Sequence, residues 1–443
     1  MTNIGTNYLS SGIQFLDALN NKKLVLISVG ILSISQSGVI FIEFVRQDFQ
    51  LRISGSGSYS RIAENIFNNG IYSLDGVTPT AYRPPVYPIF LASLKFMFGP
   101  NISFAVIVVQ SLLFIACGIL LVLISLKLFK KKTSAFIPVI IFSLHYAFLH
   151  EAIAQRETVL FTTFVLLFFY VACRPKSIAV YVVLTCIATL AYLTRPTGIL
   201  LFPIIVLDII YQQYSDRRFL LTLTIVVGTG IFTLAPWYTY VFKNFHAVSF
   251  LPSSTAGVNL YKGNNSDFQT IYPYLDVDLY APYITSQLVE NDLVNDIVAA
   301  DKFLKREALT FILHNPLRFI ENGIIKFLAF YSPFPTPLGD GKIVGPKGNV
   351  TVEDFKFEQF GPSGLAHAIL WLMVLVGNIL LLINSMPISM LQLAKHQEVS
   401  LILVFIILAT VMYTITFGET RFRLPFDPFF ILFAGQGYAA SII

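Results

Sequence analysis

Six side chains in this sequence have the types that proton transfer and anion binding need. They are the carboxylates Asp48 and Glu157 and the guanidiniums Arg83, Arg195, Arg421 and Arg423. A carboxylate within hydrogen-bond reach of a hydroxyl takes its proton as a general base. A guanidinium offers paired N–H donors that match a phosphate and stabilise charge gathering on it. Asp48 or Glu157 fits the first task and the arginines fit the second. Each also has a plainer reading. Asp48 stands near the end of an apolar run, where a solvated charge is ordinary, and Glu157 opens one, where a carboxylate suits a helix N-terminus. Arg195 lies in the brief turn Leu193-Thr-Arg-Pro-Thr-Gly198, where an ionisable group near bilayer depth is a functional candidate weighed against a snorkelling arginine. Arg421 and Arg423 flank Phe422 before a proline-started run, a place where basic pairs also anchor a span at the interface. Glu151 and Arg156 are close enough in sequence to pair with each other.

What must position these groups is mostly apolar. Of the 443 residues, 55% are hydrophobic and 12% charged, against about 25% charged in soluble domains. The fold class is an all-α polytopic membrane protein. Apolar runs of spanning length, about 17–25 residues, recur at 24–44, 102–126, 134–149, 158–173, 177–193, 198–214, 219–241, 366–384, 399–417 and 425–443. With a weaker candidate at 319–332, read as an interfacial or re-entrant helix, this gives about 10–11 transmembrane helices. Lys22-Lys23 directly precedes the first run and the residues before it carry only Asp17, so that run reads as a retained span, unlike a cleaved leader. Its Ser35-Gln36-Ser37-Gly38 centre is expected to face other helices. Cys117, Cys173 and Cys186 fall in or beside spans and act as small apolar residues. The net charge of +5 is too scattered for nucleic acid. His145 and His150 have poor spacing for shared ligation and no Cys/His cluster exists, so no metal and no cofactor is expected; a divalent cation held by carboxylates has no sequence support. No Gly-rich phosphate loop follows a strand, which argues against a soluble nucleotide-sugar site.

Short loops rich in Lys and Arg stay cytoplasmic. Lys22-Lys23, Lys127 with Lys130–Lys132, Arg174 with Lys176, Arg217-Arg218 and Lys395 all fall on one side when spans are counted from a cytoplasmic N-terminus. The loops 45–101, 150–157, 193–198, about 242–318 and 418–425 then lie outside, together with the charges Arg83, Glu151, Arg156, Glu157, Arg195, Lys243, Arg421 and Arg423. The expected site is at the outer face, periplasmic in a bacterium, of an inner or plasma membrane.

Along the chain, Ser58–Asn69 places Tyr59, Ile62, Ala63, Ile66 and Phe67 at helical spacing, an amphipathic helix for the membrane surface. Gly70 ends it and Asp75-Gly76 turns the chain. The prolines of Ala81–Pro88 fix an extended mount for Arg83 ahead of a short helix, Ile89–Phe98. Residues 1–241 read as a transmembrane catalytic module including the outer loop 45–101. Residues 242–318 read as an outer lid or acceptor platform with a helix near 295–311. Residues 319–443 form a C-terminal transmembrane segment, with a Gly/Pro/Lys-rich stretch at 333–364.

Four stretches carry a resemblance. They are Tyr59-x-x-Ile-Ala-x-Asn65 with Asn69-Gly-x-Tyr-Ser73 and Arg83-Pro-Pro-Val-Tyr-Pro-Ile-Phe-Leu-Ala92; Glu157-Thr-Val-Leu-Phe161 with Tyr192-Leu-Thr-Arg-Pro196; Ala235-Pro-Trp-Tyr238 through Lys243-Asn244 with Ser253 to Asn265; and Arg421-Phe-Arg-Leu-Pro-Phe-Asp-Pro428. In this order, over about 55–440, the chain resembles bacterial membrane glycosyltransferases of the protein-mannosyltransferase and aminoarabinose-transferase group, in the glycosyltransferase C superfamily. The resemblance implies inverting transfer of a hexosyl or pentosyl unit from a polyprenyl-phosphate donor to an envelope lipid, glycan or protein. It places the donor phosphate at Arg83, Arg195, Arg421 or Arg423, and sugar or acceptor contacts at Tyr59, Tyr82, Asn259 and Asn264. One departure stands out: Ser54-Gly-Ser-Gly-Ser58 replaces the stretch where an acidic residue precedes the loop tyrosine, which leaves Asp48 or Glu157 as base. A lysine, Lys243, also stands where arginine is common. Competing readings are a lipid-linked glycan ligase or polymerase, a degenerate transferase that only binds lipid, and a transporter. Neither repeated halves nor midplane charges on broken helices support the last.

Overall fold

A computed structural model of the chain describes residues 15–16, 18–45, 57–213, 217–246, 252–294, 296–358, 361–385 and 397–441. It is an all-α polytopic membrane protein with one small hairpin. Without water to satisfy it, the backbone of an apolar run must bond to itself, and a helix does so within one segment. The described helices are α1 (Asn21–Val45), α2 (Ser58–Asn69), α3 (Val86–Phe98), α4 (Ile102–Phe129), α5 (Lys132–Ser143), α6 (Tyr146–Glu151), α7 (Thr158–Ala172), α8 (Ile178–Thr194), α9 (Leu201–Gln213) and α10 (Phe219–Phe245). A connecting segment follows with α11 (Ala256–Gly263), α12 (Phe268–Ile271), α13 (Ala281–Glu290) and α14 (Ile297–His314). Then come α15 (Pro316–Phe330), strands β1 (Gly339–Val344) and β2 (Thr351–Phe357), α16 (Pro362–Ser385), α17 (Gln397–Ile415), α18 (Thr420–Arg423) and α19 (Asp427–Ser441).

Among the described residues, six stretches are long and apolar enough to cross a membrane by length and composition, and α5, α7 and α8 are shorter apolar helices. The expected run 134–149 is broken at Leu144, because His145 caps a new helix: its Nδ1 accepts the Phe148 amide at 3.3 Å. A helix such as α5, with 12 residues, is about 18 Å long, short of a hydrocarbon core of about 30 Å. In α1 only part of the polar centre faces a neighbour. Gln36 is buried and donates to Ser111 of α4 at 3.2 Å, while Ser37 and Gly38 are exposed.

Side-chain contacts sort the helix ends into two groups. At one end Gln110 of α4 donates to the Ala154 carbonyl, Ser60 of α2 donates to Gln155 at 2.7 Å, and Tyr240 of α10 reaches the Tyr72 and Thr80 carbonyls at 3.1 Å. At the other end Lys176 pairs with Asp208 of α9 at 2.9 Å, Gln397 of α17 donates to the same Asp208, and Ser134 of α5 donates to Gln436 of α19 at 2.6 Å. The alternation read from the basic loops is thus the alternation of the helix ends. Helix α15 enters and leaves at the first end. Its Lys326 reaches the Ile415 and Thr416 carbonyls, its flanking Tyr331 bonds Thr410 one turn deeper along α17, and Thr336 returns to bond Thr420.

Two local expectations differ in detail. The proline run does not stay extended through Pro88: α3 begins at Val86, since proline fits a first helical turn whose N–H groups lack intrahelical partners. The stretch 333–364 folds in part as the antiparallel hairpin β1–β2. The helix expected near 295–311 is α14, whose N-cap Asp296 accepts the Val298 and Ala299 amides.

The largest apolar cluster joins α1, α4 and α7–α9 to α17 and α19, so the helices before 241 and after 319 share one core. Where α16 crosses α19, glycines let backbones touch: a Cβ on Gly437 would lie 1.9 Å from the Gly377 carbonyl oxygen, the small-residue contact that holds helices together in lipid. A second cluster of Tyr261, Tyr272, Tyr280, Leu304, Ala329 and Phe417 seats the connecting segment on the first end of the bundle.

Candidate functional site

The end that gathers the polar loops holds a cavity of about 1050 Å³. Its wall comes from α2, the Arg83 mount, α6 and the turn after it, the Arg195 turn, the connecting segment, the return at Thr336, the first turns of α16, and the turn into α18. Five lining residues are cationic, Arg83, Arg156, Arg195, Lys262 and Arg421, and three are carboxylates, Glu151, Glu157 and Asp278.

Helix α2 sets the first wall. Its Ser58 hydroxyl accepts from Arg83 Nε at 2.7 Å, and the Arg83 guanidinium sits between the rings of Tyr59 and Tyr82, 4.8 and 5.0 Å from their centroids. Tyr72 locks the mount by donating to the Arg83 carbonyl at 2.9 Å. Tyr59 packs edge-on against buried Tyr87, whose hydroxyl donates to Gln110. Gln110 in turn holds Ala154, so one chain of contacts fixes the turn that presents Glu157. Tyr59 stands beside Glu157: burial, followed by that carboxylate's charge, pushes its phenol well above its ordinary range. A carboxylate has lone pairs enough to serve such a neighbour and an incoming hydroxyl.

Arg195 is held differently. Its side chain is 93% buried against the rings of Phe161 and Phe422, 5.9 and 5.1 Å away, and its Nη1 is buried without a hydrogen-bond partner. The following Thr197 bonds Tyr413 of α17 at 2.7 Å, which ties the turn to the C-terminal helices. Arg421 is already engaged, 2.6 Å from Glu419 and 3.4 Å from Asp278, and Asp278 also pairs with Lys262 at 2.5 Å.

No protein-family model matches this sequence, and no curated protein matches it. Among solved structures the chain is similar to the oligosaccharyltransferase of Archaeoglobus fulgidus, solved with Zn and sulfate, at TM-score 0.48 and 12% identity over 94% of this chain and 48% of that one. It is also similar to ArnT from Cupriavidus metallidurans bound to undecaprenyl phosphate, at TM-score 0.41 and 11% identity over 95% of this chain and 79% of that one. The chain spans about half the length of the archaeal enzyme.

Of the residues singled out from sequence, Tyr59, Tyr82, Arg83, Glu157, Arg195, Asn259 and Arg421 line the cavity together. Asp48 lies outside the described residues. Arg423 and Asn264 are placed elsewhere. Arg423 is fully buried, bonds Asp427 at 2.9 Å and the Phe330 and Ser332 carbonyls at 2.8 and 2.9 Å, and lies 3.6 Å over Trp371. Asn264 bonds the Leu260 and Ile415 carbonyls and accepts from Lys326. Both are pins between elements. Lys243 is exposed at the end of α10, and Trp237 donates to the Pro252 carbonyl inside its own aromatic cluster. Glu151 and Arg156 pair at 2.8 Å.

Sequence reasoning did not single out Lys262, Asp278, His150 or His367, which also line the cavity. Lys262 stood inside the quoted stretch Ser253 to Asn265, and His150 was weighed only as a metal ligand beside His145. His367 had no signal beyond its place at the start of a span. Beside the cavity, buried Glu43 of α1 lies 3.6 Å from His150, a pairing no local spacing announces. Among the described residues no group of three or more His, Cys, Asp or Glu has a metal-holding arrangement.

Proposed function

We propose that this chain is an integral-membrane glycosyltransferase. It moves a sugar from a polyprenyl-phosphate donor to an envelope lipid, glycan or protein at the outer face, with inversion at the transferred carbon. The observation that carries the reading is Arg195: a buried guanidinium with an orphan donor, at the wall of a cavity whose cations outnumber its carboxylates. Burying a cation without a partner is costly, and a phosphate supplies the missing acceptor with matching geometry.

In this reading Arg195, Arg83 and Arg421 hold the donor phosphate, and Tyr59, Tyr82 and Asn259 contact sugar or acceptor. Glu157 takes the proton from the acceptor hydroxyl as its oxygen bonds the sugar carbon. The bond from that carbon to the phosphate oxygen breaks with its electron pair on the phosphate, where the guanidiniums stabilise the added charge. Asp48 remains the second candidate base.

The test is transfer by purified protein with a panel of polyprenyl-phosphate sugars, comparing wild type with Glu157→Gln and Asp48→Asn. Loss of about 10²–10⁴-fold in turnover with donor binding kept is expected for Glu157→Gln. A wild-type protein that binds the donor and never releases the carrier, across a broad acceptor panel, overturns the enzymatic reading.

A further inference from the structure

The cavity has a wall that the reading above does not use. Ser363 and His367, one turn apart on α16, both line it. His367 is 96% buried, and its Nε2 lies 3.3 Å from Arg423 Nη2. A guanidinium has only donors to offer, so Nε2 is the acceptor in this contact and the ring proton resides on Nδ1. Nδ1 is buried and has no hydrogen-bond partner in the protein. His367 therefore holds a buried N–H without an acceptor, in a ring that lines the same cavity as Arg195.

The groups behind His367 keep it in this state. Arg423 is fixed by Asp427 and two carbonyls, and Asp427 accepts from His145 Nε2 at 3.0 Å. The His145 Nδ1 accepts a backbone amide, which sets that ring in the complementary tautomer. The rings of His145 and His367 stand 5.9 Å apart. Protonating Nε2 of His367 would break the Arg423 contact and set two cations against each other, so the ring stays neutral. Its Nδ1–H is a fixed, polarised donor whose natural acceptor is an anionic oxygen.

The geometry points to His367 as a direct ligand of the donor's phosphate, donating from Nδ1–H to a phosphate oxygen, with Arg423, Asp427 and His145 as positioning residues for that tautomer. The inference rests on the reading of this cavity as a lipid-phosphate site.

Isosteric variants separate the two roles of the ring. His367→Asn keeps an N–H donor near the Nδ1 position. His367→Gln keeps an acceptor for Arg423 near the Nε2 position and removes the donor. Full-length protein in detergent is titrated with undecaprenyl phosphate and, in parallel, with undecaprenol, which lacks the phosphate. Undecaprenyl phosphate affinity is expected to fall about tenfold or more in His367→Gln and to stay within about threefold in His367→Asn, with undecaprenol binding unchanged in both. Retained affinity in the Gln variant with loss in the Asn variant assigns the ring only to supporting Arg423 and overturns the inference. A wild type that does not distinguish the phosphate from the alcohol overturns the underlying site reading as well. Discrimination lost in Arg195→Met and kept in His367→Gln removes this inference alone. Nitrogen-15 spectra of histidine-labelled wild type give a readout free of folding effects. The His367 signal is expected as the Nδ1–H tautomer, with Nδ1 shifting on undecaprenyl phosphate addition, and a proton found on Nε2 overturns the proposal.

Discussion

Three arginines that look alike in sequence sit in three different balances of charge. Arg423 is saturated by a carboxylate, two carbonyls and an aromatic face, so it behaves as a structural pin. Arg421 lies half-exposed against Asp278 and the carboxyl of Glu419. Arg195 is buried with its Nη1 unpartnered, and the charge of Glu157 reaches it from beyond contact distance. The sign of a substitution should therefore differ. Replacing a buried cation that lacks a partner relieves a desolvation penalty, while removing one member of a buried pair strands the other. Arg195→Met is expected to leave the thermal midpoint of the ligand-free protein unchanged or raised, and to weaken undecaprenyl phosphate binding about 10–100-fold. Arg423→Met is expected to cost about 3–5 kcal/mol of stability, because the buried Asp427 carboxylate loses its cation and keeps only the His145 hydrogen bond. Unfolding followed by tryptophan fluorescence decides the matter, and equal destabilisation by the two substitutions would refute this division of labour.

At the scale of elements, the turn between α17 and α18 joins the connecting segment to the membrane helices. Gly263 packs so closely there that a Cβ would lie 1.7 Å from the Thr416 oxygen, and Tyr272 donates to the Gly418 carbonyl at 2.6 Å. Glu419 is fully buried in this turn. Burial pushes its carboxyl up from the ordinary 4.5 to about 8; Arg421 opposes the rise and the charges of Asp276 and Asp278 reinforce it. The folded chain then keeps a proton that the unfolded chain releases as pH climbs from about 4.5 to about 8. Since the folded state binds more protons in that window, stability falls as pH rises through it. Glu419→Gln is expected to remove this decline while leaving stability below about pH 4.5 nearly unchanged. Denaturation midpoints across the window provide the check, and an identical slope in the variant would show that another group sets it.

At the scale of the whole molecule, what the sequence disclosed and what it hid follow from how far apart the partners are. Span positions, the helix after Ser58, the stop at Gly70 and the alternation of ends were legible, since apolar length, glycine and basic loops are local signals. The pairings that distinguish one charge from another were not. His145 meets Asp427 across 282 positions and Arg423 meets His367 across 56, and no spacing rule reaches that far. The hairpin at 339–357 was hidden by a Gly- and Lys-rich composition that equally suits a loop. The shared geometry of the two ends leaves their sides to be assigned; the basic connections predict that the end near Lys127–Lys132 and Lys176 lies in the cytoplasm and, on the proposed reading, that the cavity faces outward. Single cysteines in a background lacking the native three test this in intact cells with a membrane-impermeant maleimide. Val77→Cys and Lys347→Cys, both exposed at the cavity end, are expected to label from outside. Lys131→Cys is expected to label only after the membrane is opened. The reverse pattern would turn the cavity toward the cytoplasm. An envelope acceptor would then be out of reach, and the proposed reaction would need a donor and an acceptor present on the inner side.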